Sequence, residues 1–413
     1  MQNNTEETAG KLLVPALIIA LFAVSLSIPM LSVVTVDIAM TFIGSADQAA
    51  LGATAQVNTV NRAAEVVFAL AMGFLTVKFR SKPLLLLGAG FLLASAIGSY
   101  FAPTLPLLQA FYILEGGGTV IISITAFSLI GDLLAAKEKP KVVSYLNAVS
   151  FAALLVATPA IGVITNIGGW QLNYLWLVLP LSIAGLILAF IGLPGIKRKQ
   201  KAPPNTSYIS GFKEIFKSKS AVFCLVAGMC GAVGNFGILA IAYYRQHFLS
   251  DMPVAYQVNF ATGVFMAASA IFVVASIITG RLINRAGSIP LTVIGATGNS
   301  VFALLLFLMP NLWAAVAVNM VHIWFFAMAV TPWSCLSLDQ VPTYRGTMMS
   351  LRSIFLSVGY AITTALGGAV LVFFGSYQVM GLALALAILP CAPLTYFLVK
   401  DPNKKCADSN LKV

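Results

Sequence analysis

Glu115 and His322 are titratable side chains set deep within otherwise apolar sequence, and they lie 207 residues apart. A charge at the centre of a bilayer costs about 2.5–3.5 kcal/mol on insertion scales, so it needs a partner or a task. Glu115 stands roughly eight residues into an apolar run over 107–133, about 12 Å deep at 1.5 Å per residue. His322 has a comparable place in the run over 312–334. Carboxylates and imidazoles can both load and release a proton, so both residues are candidates for proton coupling. A hydrogen-bonded acid and a packed histidine are the structural alternatives. Glu65 is a third candidate and shares a helical face with Arg62, three residues before it. The chemistry open to such a set is proton movement rather than bond making. The two histidines and the cysteines at 224, 230, 335, 391 and 406 have neither metal-site nor CxxC spacing, so no metal, cofactor or enzymatic centre is expected.

The elements that would hold these groups follow from composition. Of 413 residues, 59% are hydrophobic and 9% charged, against roughly 25% charged in a soluble domain. So few polar side chains could not cover a water-facing surface, and the bilayer is the natural solvent. A spanning helix needs about 20 mainly apolar residues. Twelve such runs lie near 12–36, 56–77, 83–103, 107–133, 142–166, 173–194, 220–245, 257–283, 289–309, 312–334, 347–373 and 377–399. Their continuity predicts helices, because barrel strands would alternate polar and apolar residues. The expected fold is an all-α integral membrane protein of twelve transmembrane helices. The first run is too long for a signal-peptide core and follows Glu6 and Glu7 rather than a basic segment, so it is read as a retained span.

The chain also repeats itself. Gly73 matches Gly280, Pro83 matches Pro290, Gly88 matches Gly295, Pro103 matches Pro310 and Asp132 matches Asp339, always at a spacing of 207. Two six-helix bundles related by a pseudo-twofold axis are the expected result, over 1–195 and 220–413, joined by a basic linker at 196–219. Within that linker, Gly211–Lys219 reads either as a short helix on the membrane face, with Phe212, Ile215 and Phe216 toward lipid, or as a solvated tether. With the N-terminus placed inside, 21 of the 24 basic residues fall in cytoplasmic segments. This follows the positive-inside rule and places both termini in the cytoplasm of a cell-membrane protein. The net charge of +11 is therefore assigned to topology rather than to nucleic acid.

The pattern resembles the major facilitator superfamily over essentially the whole chain. The loop after the second run, Gly73-Phe-Leu-Thr-Val77-Lys78-Phe-Arg80-Ser-Lys82, keeps the family's spacing and basic charge, but Val77 replaces its Asp. The second copy, Gly280-Arg-Leu-Ile-Asn284-Arg285-Ala-Gly287, also lacks the acid. Tyr112 stands where the fourth helix normally carries Arg, in Tyr112-Ile-Leu-Glu115-Gly116. Thr158-Pro159-Ala-Ile-Gly162-Val163 retains part of the antiporter motif, and Gly169-Trp170 is similar to drug-efflux members. The resemblance implies a monomeric transporter with cavity walls from helices 1, 4, 7 and 10. Tyr112, Asn235, Tyr243, Asn319 and Trp324 would line the cavity, and Pro29 would loosen the first helix. An outer gate is expected from Asp37 or Glu65 with Arg62, the alternative being a local ion pair. An inner gate is expected from Asp132 and Asp339 with Arg345, Lys78 or Arg285. Arg352 is read as snorkelling to the inner interface, with anion binding as the alternative.

No nucleotide-binding loop is present, so energy must come from a gradient. The leading expectation is proton-coupled export, by alternating access, of small amphipathic compounds or metabolites. An importer of a sugar or organic acid, by symport or uniport, is the alternative. A non-transporting membrane sensor is the third.

Overall fold

The computed structural model describes residues 14–45, 48–192 and 209–402. Among them the regular structure is helical. The elements are α1 (Val14–Val24), α2 (Ser27–Phe42), α3 (Gln48–Lys78), α4 (Ser81–Tyr100), α5 (Leu105–Leu133), α6 (Lys139–Gly168) and α7 (Leu179–Gly192). They continue as α8 (Ser210–Lys217), α9 (Lys219–Ala232), α10 (Gly237–His247), α11 (Val254–Ala286), α12 (Ser288–Leu306), α13 (Leu312–Gln340), α14 (Arg345–Phe374) and α15 (Tyr377–Ile388). Nine helices among the described residues are long and apolar enough to cross a bilayer. Helices satisfy their own backbone groups, which is what such a solvent demands.

The remaining three apolar runs are interrupted, and sequence explains where. The first run breaks at Ser25–Leu26, between α1 and α2. Pro29 has no N–H to give the carbonyl of Ser25 four residues back. The sixth run opens with a π turn over Tyr174–Val178, where the Leu179 N–H bonds to the Tyr174 carbonyl. Pro180 follows and cannot donate to Trp176. The seventh run, expected as one helix over 220–245, divides at Val233–Phe236 into α9 and α10. There the amides of Val233, Gly234 and Asn235 reach only three residues back. The Val233 carbonyl left open by the break accepts from the Thr363 hydroxyl at 3.1 Å.

Two compact units result. One comprises residues up to Leu133 together with Val149–Gly211; the other comprises Leu134–Ala148 together with Phe212 onward. The start of α6 thus packs with the second unit, unlike the boundary expected near residue 195. The core of the first unit gathers Leu26, Met30, Ile38, Tyr112, Trp170 and Tyr174. That of the second gathers Phe236, Tyr243, Tyr244, Phe307 and Leu384. The repeat is visible in the packing. A methyl group on Gly88 would stand 2.8 Å from Ile122, and one on Gly295 would stand 2.4 Å from the Ala329 amide nitrogen. Both partners keep the spacing of 207.

Of the expected linker, 196–208 lies outside the described residues. Ser210–Lys217 forms a helix, and α8 turns 87° from α9. The tether reading therefore does not hold for this segment. Ile215 is buried in protein rather than turned to lipid, while Phe216, Lys213 and Lys217 are exposed. A solvated charged face with one apolar anchor explains why so short a segment folds.

Candidate functional site

In the first unit the site grows from one asparagine. Asn61, buried on α3, donates its Nδ2–H to the Tyr112 carbonyl at 2.9 Å and to Glu115 Oε2 at 3.2 Å. Glu115 is 8% exposed. The close approach of α3 and α5 depends on Gly116, where an added Cβ would stand 2.5 Å from the Asn61 carbonyl oxygen. Gly117 faces the Phe68 ring and Gly118 faces the Gly88 carbonyl. The glycine triple is thus a packing device. Gly116→Ala should force α3 away from Glu115 at an overpacking cost of about 1–3 kcal/mol. Thermal melting of the purified protein should show a lowered Tm for G116A.

Tyr112, expected to face cargo, is buried, and its hydroxyl lies 2.7 Å from that of Tyr174. Sequence reasoning passed over Tyr174, whose place beside Tyr112 arises only when the sixth run folds back. Arg62 and Glu65 form an ion pair on the face their spacing gave them, with Arg62 Nη1 lying 2.8 Å from both Glu65 carboxylate oxygens. The Glu65 side chain is nearly buried and that of Arg62 is 45% exposed. Asp37 is exposed one turn before the end of α2. The ion pair is therefore local to α3.

In the second unit His322 is buried on α13, its ring 4.3 Å from Phe236 at the break of the seventh run. Neither ring nitrogen has a hydrogen-bond partner among the described residues. Asn235 is exposed at the same break, Asn319 is buried one turn before His322, and Trp324 is half-buried. Tyr243 lies instead in an aromatic group with His247, Phe248, Phe307 and Tyr377, its hydroxyl donating to the Met309 carbonyl. Asn299, absent from the expected set, is fully buried and packs against Gly234. A polar residue in the ninth run was the only signal for it.

The second unit also holds an ion cluster. Asp339 accepts from Lys139 Nζ at 2.8 Å and lies 3.7 Å from Arg345 Nη2. Arg345 was expected there; Lys139 was not, since nothing in the basic stretch 137–141 singles it out. Arg285 and Lys78 are exposed, and Asp132 is half-buried at the end of α5. The start of α6 is further held by Asn284 Nδ2 on the Lys137 carbonyl at 3.0 Å and by Ser276 Oγ on the Ser144 carbonyl at 3.1 Å. Gly280 makes room for Ser144. Arg352 is 7% exposed and does not snorkel. Its guanidinium lies 4.7 Å from the Trp333 ring and donates to Ser334 Oγ at 2.7 Å. No group of His, Cys, Asp and Glu among the described residues could hold a metal ion.

The Major Facilitator Superfamily model matches residues 13–334 and again 255–411. The chain belongs to the major facilitator superfamily. Solved structures of that fold resemble it throughout at low identity. The Escherichia coli fucose:proton symporter FucP is 11% identical, with a TM-score of 0.78 over 94% of this chain and 98% of its own. The proton:xylose symporter XylE is 13% identical, with a TM-score of 0.77 over 96% and 97%. A bacterial homologue of the iron transporter ferroportin is 13% identical, with a TM-score of 0.75 over 93% and 98%. No curated protein matches the sequence. At these identities the likeness establishes the twelve-helix, two-bundle fold. Members of this superfamily are multi-pass membrane transporters of small molecules, and many are driven by protons.

Proposed function

We propose that this superfamily member is a proton-coupled exporter of small amphipathic compounds or metabolites, working by alternating access as a monomer in the cell membrane, with both termini cytoplasmic. The observation that carries the reading is Glu115, an acid buried within a spanning helix that accepts from the neutral Asn61 amide. A group so placed can exchange a proton as the cavity opens to either face. His322, buried without a hydrogen-bond partner among the described residues, is the candidate second proton site. Glu65 with Arg62, and Asp37 nearby in sequence, would belong to the outer gate. Asp339, Lys139 and Arg345 would form the inner one, with Asp132, Lys78 and Arg285 at that face. Asn235, Asn319, Trp324, Tyr112 and Tyr243 remain the proposed cargo contacts, Tyr112 and Tyr243 through the packing of their rings. Export rests on Thr158-Pro159 and Gly162 in α6.

The second reading, import by symport or uniport, draws support from the two sugar:proton symporters that share the fold. Energised everted vesicles containing the protein distinguish the two. Protein-dependent uptake of a lipophilic fluorescent compound, abolished by a protonophore, is the expected result. Uptake insensitive to the protonophore would remove proton coupling; no uptake, with sugar or organic-acid entry into right-side-out vesicles instead, would favour import.

A further inference from the structure

The ion cluster of Lys139, Asp339 and Arg345 fixes three helix ends side by side, those of α6, α13 and α14. Counting inward from that common end, Asn147 is eight residues along α6, Ser334 six along α13 and Arg352 seven along α14. At 1.5 Å per residue all three stand about 9–12 Å inside the span. They meet there on one oxygen. Ser334 Oγ accepts from Arg352 Nη2 at 2.7 Å and from Asn147 Nδ2 at 3.2 Å, while donating to the Val330 carbonyl at 2.8 Å. The Trp333 ring lies beneath the guanidinium at 4.7 Å and is itself pinned by its N–H to the Cys224 carbonyl at 2.7 Å.

Two donors from different helices converging on a single oxygen reproduce how a carboxylate oxygen is held. The guanidinium fork suits that group better than an ammonium would, because its parallel N–H groups match the two oxygens. Charge points the same way. The three helices carry one acid, Asp339, against Lys139, Lys141, Arg345 and Arg352. That acid is already engaged by Lys139 and Arg345. The four charged residues other than Arg352 belong to the helix ends, so the charge these helices carry at the depth of the site is that of the Arg352 guanidinium, which attracts an anion. Asn147 is half exposed, so the cluster is not sealed at that residue.

We propose that Arg352 and Asn147 form a carboxylate-binding site, and that the transported compound carries the carboxylate. This rests on the carrier reading above and specifies its cargo class. On binding, a carboxylate oxygen takes the place of Ser334 Oγ as acceptor for both donors, and Ser334 keeps its bond to Val330. Trp333 holds the guanidinium plane in place whether or not cargo is bound.

The test is equilibrium binding to the purified full-length protein in nanodiscs of neutral lipid, by calorimetry. Benzoate, octanoate and succinate serve as probes, each against its uncharged amide. At least one carboxylate should bind tenfold or more tightly than its amide. Arg352→Gln should reduce that preference to within twofold, and Asn147→Ala should weaken the carboxylate about tenfold while leaving the amide unchanged. Equal binding of acid and amide, binding of neither, or a preference that survives both substitutions would overturn the site. If R352Q fails to reach the membrane, N147A decides, because Asn147 is only partly buried and its loss leaves the Arg352–Ser334 bond in place. Binding needs no gradient, so the two readings fail separately. Selective binding without transport would overturn the carrier reading alone, and transport indifferent to carboxylates would overturn this site alone.

Discussion

Glu115→Gln should abolish accumulation against a gradient, with coupled uptake falling by more than tenfold while the protein stays folded and in the membrane. Gln keeps the shape of Glu and presents an Oε1 that can still accept from Asn61 Nδ2, which meets Glu115 at 3.2 Å in the native site. The contact between α3 and α5 therefore survives, and so does the close approach at Gly116. What disappears is the ability to gain and lose a proton. Facilitated exchange of cargo between equal pools should persist, because a permanently neutral side chain resembles the protonated carrier. Uptake with and without a protonophore, followed by counterflow in the same vesicles, separates the two. Unchanged protonophore-sensitive accumulation in E115Q would remove Glu115 from the mechanism.

The second large effect is expected where α6 begins. Asp339→Ala leaves Lys139 buried without its 2.8 Å carboxylate. Breaking one partner of a buried pair typically costs about 3–5 kcal/mol, because the remaining charge stays desolvated. The first turns of α6 should then release from α13. Cys335, buried one turn before Asp339, is a native reporter. Its modification by a maleimide, resolved by peptide mass spectrometry, should rise more than tenfold in D339A. The exchanged pair K139D/D339K should bring labelling back toward the native level, since the two charges again meet. Arg345 would then face a lysine at residue 339, so the rescue should be partial. Labelling of Cys335 unchanged in D339A would mean that the ion pair does not hold the start of α6.

Both effects bear on how a charge is tolerated inside a span. Glu115 accepts from the neutral Asn61 amide, a contact suited to changing protonation. Asp339 is held by cations, a setting suited to a fixed charge that makes or breaks a contact. Glu115 was visible as a polar interruption of an apolar run and Asp339 as the repeat mate of Asp132, but only their partners separate the roles proposed for them.

The apolar runs and the 207-residue repeat were enough to determine the helical class, because bilayer-length hydrophobic segments leave the backbone few ways to satisfy itself. Pro29 likewise marked a span that is interrupted, since a missing N–H acts within four residues of its own position, although Pro159 and Pro332 stand inside continuous helices. The exceptions were contacts between residues distant in sequence. The break at Val233–Phe236 lies beside Gly234 and Gly237, yet the hydroxyl that meets its open carbonyl belongs to Thr363. Tyr174 as partner of Tyr112, Lys139 as partner of Asp339, and Asn147 with Arg352 on Ser334 share this origin. Local pattern determined which polar side chains stand within apolar runs; only tertiary structure decided that Arg352 and Tyr112 are buried and what each side chain meets. Membership of a run depends on local sequence, whereas burial, hydrogen-bond and ion-pair partners depend on the register between helices, which side-chain packing sets across the whole unit.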